Sequence, residues 1–235
     1  MRKVYFFLLP IILFSFHLGE KYANPSEYLN DIKTELEKEW PNNKTINLVF
    51  HGHSVPAGYF KTPTVNTLES YPYQVLQKLK GIYPYAVINV INTSIGGENS
   101  VTGVERFESD VLTHKPDVLF IDYALNDRRV GLEKSYMAWS SMIEKTLNKD
   151  IKIILLSPSP DQRVDILEPD NILEQFANQI EGLANEHEIG FIDSYELFRN
   201  KVMMGDSVST HMSQVNHPNA KGHQLITDAI FKYFE

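Results

Sequence analysis

The residues best suited to chemistry fall in four short segments. In the first, His51-Gly52-His53-Ser54-Val55-Pro56-Ala57-Gly58-Tyr59 follows directly on the apolar run from Ile46 to Phe50. A serine between a strand end and a glycine-containing turn presents its hydroxyl beside backbone N–H groups, which suits a nucleophile next to an oxyanion site. A turn-forming or helix-capping serine fits the same pattern. Pro56 occupies the position where the nucleophile elbow of α/β-hydrolases needs glycine, which disfavours that fold. In the second segment, Asn92 to Ser100, the pair Gly96-Gly97 lets the backbone approach a ligand and offer an N–H. Phosphate binding is the competing reading, but no Lys-Ser/Thr pair follows. The third segment, Ala124-Leu125-Asn126-Asp127-Arg128-Arg129, places a side-chain amide that either donates to a developing negative oxygen or closes an Asx-turn. In the fourth, Gln214-Val215-Asn216-His217-Pro218-Asn219, His217 is a candidate general base in a loop stiffened by proline.

The elements that must position these residues alternate along the chain. Buried strands are expected at Ile46–Phe50, Val87–Ile91, Val118–Tyr123, Ile151–Leu156 and Gly190–Asp193, each a short apolar run. Helical patterns are expected from Ser26 to Trp40, Tyr73 to Lys80 with a stop at Gly81, Val104 to Thr113, Leu132 to Leu147, Ile172 to His187 and Ala220 to Tyr233. Five buried runs separated by helices imply a parallel sheet covered on both faces, in one domain. Ligands of such sheets bind beyond the carboxyl ends of the strands, where Ser54, Gly97 and Asn126 fall.

Composition narrows the chemistry further. The 235 residues carry 22 Lys and Arg against 30 Asp and Glu, a net charge of −8, without a basic run, so a nucleic-acid partner is not expected. With no cysteine, a thiol nucleophile, a disulfide scaffold and a thiolate metal site are excluded. Met1-Arg2-Lys3 followed by the apolar stretch Val4 to Leu18 reads as a secretory signal, assigned to residues 1–23, with Gly19 and Ala23 as candidate cleavage positions. The mature domain, residues 24–235, is expected to be exported to the periplasm or the extracellular space, with no stable membrane partner.

Taken together, Ser after strand one, Gly after strand two, Asn after strand three and His before the last helix resemble the four blocks of the SGNH/GDSL hydrolase superfamily. The resemblance implies a flavodoxin-like three-layer α/β/α sandwich with a five-stranded parallel sheet. It also implies a serine esterase needing no cofactor, with Ser54 as nucleophile, Gly97 and Asn126 as oxyanion donors beside the Ser54 N–H, and His217 as base. Three positions depart from the family pattern: His53 replaces the Asp before the serine, Ala124 replaces a Gly, and Gln214 replaces the Asp that orients the histidine. Gln214 could accept the His217 Nδ1 proton through its amide oxygen; Asp206 or a backbone carbonyl is the alternative.

Tyr59 and Arg128 are candidate substrate contacts, although Arg128 and Arg129 could instead neutralise Asp127. A metal site from His51, His53 and His217 is disfavoured, because Ser54 stands where another ligand would be wanted. The expected substrate is a small-molecule or glycan ester, with an O-acetyl group on a carbohydrate foremost. A longer-chain lipase or thioesterase and a catalytically decayed glycan-binding protein are the alternatives.

Overall fold

In the computed structural model, which describes residues 22–235, five strands form one parallel sheet in the order β2-β1-β3-β4-β5. The strands are β1 (Thr45–Gly52), β2 (Val87–Asn92), β3 (Val118–Asp122), β4 (Lys152–Leu156) and β5 (Gly190–Ile192). The segment up to residue 21, which holds most of the expected export signal, lies outside the described residues. The helices are α1 (Pro25–Tyr28), α2 (Asn30–Leu36), α3 (Tyr71–Ile82), α4 (Ser100–Gly103), α5 (Phe107–Asp110), α6 (Ala124–Asp127), α7 (Leu132–Leu147), α8 (Ile172–Glu186), α9 (Ser194–Met203) and α10 (Ala220–Phe231). A two-stranded antiparallel ribbon, β6 (Met212–Gln214) and β7 (His217–Pro218), precedes α10.

Alternation along the strands splits the core into two layers, as side chains in a strand point to opposite faces in turn. Leu48, Phe50, Val118, Phe120, Ile154 and Leu156 pack with Val75 and Leu79 of α3 and Ile226 and Ile230 of α10. Val49, Leu119, Ile121, Ile153 and Leu155 pack on the other face with Trp139, Met142 and Ile143 of α7 and Phe176 and Ile180 of α8. This is the three-layer sandwich expected, with the flavodoxin-like strand order. The chain leaves β1 toward β2 on one side and later returns to β3 on the other. The resulting crevice opens at the carboxyl ends of β1 and β3, where Gly52 lies opposite Asp122.

Three elements differ from those expected. The helix expected from Ser26 is capped instead by Asn24, whose side chain accepts from the Ser26 N–H, and it breaks at Leu29. Leu29 is drawn wholly into the core there, while the Tyr28 hydroxyl accepts from the Ile153 N–H on β4. The helix expected over 104–113 is broken into short α and 3₁₀ turns, bent so that the Gly103 carbonyl meets His51 Nε2 at 3.3 Å. Helix α9 was not expected. Its start is set by Asp193, which accepts from the Glu196 N–H and the Ser157 hydroxyl.

A close approach between β1 and β3 fixes one residue type. A Cβ on Gly52 would stand 2.3 Å from the Asp122 carbonyl oxygen and 2.8 Å from the Pro56 ring. Gly52→Ala should therefore force the strand ends apart and lower stability by about 1–3 kcal/mol, the usual cost of overpacking. Urea unfolding should show a lower midpoint with an unchanged slope.

Candidate active site

The ladder between β1 and β3 is carried one residue further by the His53 N–H donating to the Asp122 carbonyl at 3.1 Å. The chain then turns sharply, with the Ala57, Gly58 and Tyr59 N–H groups donating to the carbonyls of His53, Val55 and Ser54. The His53 ring steadies the turn, its Nδ1 accepting from the Val55 N–H at 3.1 Å. That is a bond an aspartate could make from the same position, so the exchange keeps the turn. Ser54 at its head is buried to 6% exposure, and its Oγ lies 2.9 Å from Nε2 of His217.

His217 arrives from the opposite end of the chain on β7. Ser213 donates to the carbonyls of His217 and Pro218, and Asn219 caps α10 by accepting from Lys221 and Gly222, so the loop is held on both sides of the ring. Nδ1 of His217 lies 2.8 Å from the backbone oxygen of Phe60, which can only accept and so selects the tautomer protonated at Nδ1. The bare Nε2 then faces Ser54.

Both residues expected to orient the histidine are corrected. The Gln214 amide oxygen accepts from the Thr62 N–H at 3.0 Å, which turns the amide nitrogen toward the ring, 2.7 Å from Nδ1. An amide nitrogen donates and cannot take the Nδ1 proton. Asp206 is engaged elsewhere, 3.0 Å from His211 Nε2. The acceptor is a backbone carbonyl, from the loop that follows Ser54 rather than the loop that precedes the histidine.

Burial lowers the His217 pKa from its ordinary 6.5, opposed by the Phe60 carbonyl and reinforced by nearby His53. The ring is thus neutral at neutral pH, the form able to take a proton.

Gly97 turns with φ +83°, a conformation glycine adopts without strain. The next residue carries a buried network. Arg106 clamps the Glu98 carboxylate through Nε at 2.8 Å and through Nη2, and Tyr123 donates its hydroxyl to the same carboxylate at 2.6 Å. Burial works against the Glu98 charge, but Arg106 and Tyr123 outweigh it and hold the carboxyl below its ordinary value. His51 closes the network, 3.1 Å from the Tyr123 hydroxyl, its own pKa pushed down to about 4 by burial and then by Arg106.

The Glu98 backbone carbonyl accepts one Nδ2 hydrogen of Asn126 at 2.8 Å, leaving the other free. The N–H groups of Ser54 and Gly97 donate to no acceptor among the described residues. Three unspent donors therefore belong to residues that line one cleft. Sequence reasoning missed Glu98, Arg106 and Phe60; a charged pair eight residues apart flanking the glycine turn was the available signal for the first two.

The cleft encloses about 260 Å³ and is lined by Ser54, Tyr59, Thr62, Gly97, Asn126, Arg129, Gln214, Asn216 and His217. Tyr59 is placed there as expected, its ring centroid 6.0 Å from that of His217. Gly96 makes room for it, since a Cβ would meet that ring at 2.9 Å. Arg128 is not in the cleft: it donates to the Leu125 carbonyl and to Asp161 at 2.7 Å, and its neighbour Arg129 lines the cleft instead. Neither arginine neutralises Asp127, which is buried and accepts from the Ser100 N–H, the Ser135 hydroxyl and the Trp139 indole. His51 and His53 bond on different sides of β1, and among the described residues no three His, Asp or Glu side chains cluster as metal ligands.

The geometry predicts a histidine that titrates low. In ¹⁵N–¹H spectra of the ring nitrogens, His217 should titrate below 6.5 with Nδ1 carrying the proton in the neutral form. Titration above 6.5 would place a carboxylate at Nδ1.

Comparison with known proteins identifies the family. The model of the GDSL-like lipase/acylhydrolase family matches residues 50–225. The acetylxylan esterase of Geobacillus stearothermophilus is 24% identical over 175 residues, covering 69% of this chain and 79% of that protein. Its crystal structure superposes with a TM-score of 0.70 at 23% identity, over 80% of this chain and 94% of that one. A two-domain esterase active on acetylated mannans gives a TM-score of 0.70 at 20% identity, over 88% of this chain and 52% of that one. With Ser54, the glycine turn, Asn126 and His217 all inside the matched span, the chain belongs to the GDSL-like lipase/acylhydrolase family and is a carboxylic ester hydrolase.

Proposed function

We propose that the enzyme removes O-acetyl groups from carbohydrates through a Ser54–His217 pair. The observation that carries the reading is the contact of Ser54 Oγ with His217 Nε2 at 2.9 Å, at the base of a small cleft lined by polar side chains. His217 takes the hydroxyl proton as Ser54 attacks the ester carbonyl. The resulting oxyanion is received by the Ser54 N–H, the Gly97 N–H and the free Asn126 Nδ2 hydrogen. His217 then protonates the leaving sugar hydroxyl, and water, deprotonated by the same ring, releases acetate from the acyl-enzyme. The imidazolium formed at each stage keeps its Nδ1 proton on the Phe60 carbonyl.

The acetyl group and the sugar are supported by the size and lining of the cleft. No aliphatic side chain lines it, so a long acyl chain would bury little of its surface there, whereas hydroxyl-rich sugars find Tyr59, Thr62, Gln214 and Asn216. The similar proteins named above act on acetylated xylan and acetylated mannans. Export remains part of the proposal, resting on Arg2, Lys3 and the apolar run that follows. Amino-terminal sequencing of protein from its native host should then begin between Gly19 and Pro25.

In a series of p-nitrophenyl esters, kcat/KM should be highest for acetate and fall with chain length; a maximum at eight carbons or more would favour a lipase. Asn126→Ala should lower kcat about 100- to 1,000-fold with little change in KM, the usual loss for one oxyanion donor. Gln214→Glu exchanges a donor for a carboxylate at Nδ1 and still leaves an oxygen for the Thr62 N–H. It should raise the His217 pKa and move the acidic limb of kcat/KM to higher pH.

A further inference from the structure

Six arginines occur in the chain, and five lie among the described residues. Four of those five are held by carboxylates: Arg106 by Glu98 and Asp110, Arg128 and Arg163 by Asp161, and Arg199 by Glu174 and Glu196. Asp161 is committed to its two arginines, which overcome the effect of burial and hold its carboxyl down at about 2. The fifth, Arg129, makes no ion pair and no side-chain hydrogen bond among the described residues; only its backbone N–H is engaged, on the Asn126 carbonyl. It is also the arginine that lines the catalytic cleft. In an acidic protein with a net charge of −8, the one arginine left without a carboxylate partner among the described residues is the one beside Ser54.

The surroundings of Arg129 say what it suits. No Asp or Glu lines the cleft, so nothing there competes for the guanidinium, and Asp127, two residues back, spends its oxygens on Ser100, Ser135 and Trp139. A guanidinium offers a planar fork of donors that matches a carboxylate in a bidentate pair. With no lysine and no second arginine lining the cleft, it provides for a single negative charge, not a phosphate dianion. Uronic acids are sugars that bear one carboxylate per residue.

We propose that Arg129 is a specificity residue which binds the carboxylate of an acetylated uronic-acid glycan, on the acetylated sugar or its immediate neighbour. The proposal rests on the deacetylase reading above and names the substrate class of the same site. The carboxylate contact is remote from the ester carbonyl and is made before and during reaction alike, so it acts on KM more than on kcat.

The matched probes are methyl O-acetyl-galacturonide and methyl O-acetyl-galactoside, which differ only in the carboxylate. The wild-type enzyme should favour the galacturonide about tenfold in kcat/KM at low ionic strength, the scale of one charge-assisted contact in an exposed site. That preference should sit in KM, shrink as salt is raised, and vanish in Arg129→Gln while Arg129→Lys retains part of it. Equal turnover of the two probes by the wild type, or a ratio unmoved in Arg129→Gln, overturns the role of Arg129 and leaves deacetylation standing. Acetate release from neither probe overturns both.

Discussion

The Phe60 carbonyl oxygen, 2.8 Å from Nδ1 of His217, is the contact on which the rest of the site depends. Ser54, only six residues earlier, meets the other nitrogen of the same ring at 2.9 Å. One loop therefore meets both ring nitrogens of His217, and the distance from Ser54 to the ring is set within that loop. The loop is fixed accordingly. The Asn66 N–H donates to the Gly58 carbonyl at 2.7 Å, the Phe60 N–H donates to Thr64, and Tyr59 bridges Val65. The Phe60 ring stacks on His223, and Thr62 ties the loop to Gln214 beside the histidine. A neutral acceptor fixes the tautomer but supplies no charge to the imidazolium. In return, no carboxylate has to be desolvated beside the ring, and the base keeps a low pKa.

Charge is concentrated instead behind Gly97 and Asn126. Glu98 and Arg106 form the pair that holds the glycine turn, and the Glu98 carbonyl orients the Asn126 amide. Asp127, next to Asn126, is fully buried and tied to α7 through Ser135 and Trp139. Buried charges are tolerated when every lone pair finds a donor, and removing one partner of such a set is costly. The Gly97 turn and the Asn126 amide are thereby held by networks that belong to the fold, the condition under which electrostatic stabilisation of a transition state avoids reorganisation during reaction.

Much of this was legible from residue types at strand ends. Ser54, Gly97, Asn126 and His217 stand out because each side chain, or its absence, has few uses at such a place, and the structure brings all four to one cleft. The Phe60 carbonyl had no such signature, since every residue carries a main-chain oxygen and only the path of the loop selects one. Gln214 was legible as a neighbour of His217, but which end of its amide faces the ring depends on the distant Thr62 N–H. Arg128 and Arg129 look alike in sequence. On the short helix α6 and its last turn they point apart, and only Asp161, more than thirty residues away, decides which is taken. The strands and long helices were read closely because their apolar periods run unbroken. The stretch over 104–113 departs from the expected helix where Gly103 just before it meets His51 and its own Arg106 reaches Glu98 and Tyr123, partners outside its own periodicity.

Activation of Ser54 by a histidine held by a neutral carbonyl can be followed in the rate at which a fluorophosphonate labels the native enzyme across pH. A single adduct on Ser54 is expected, its rate rising with pH through a midpoint below 6.5, the ordinary histidine value. An adduct on another serine, or a midpoint above 6.5, would contradict it.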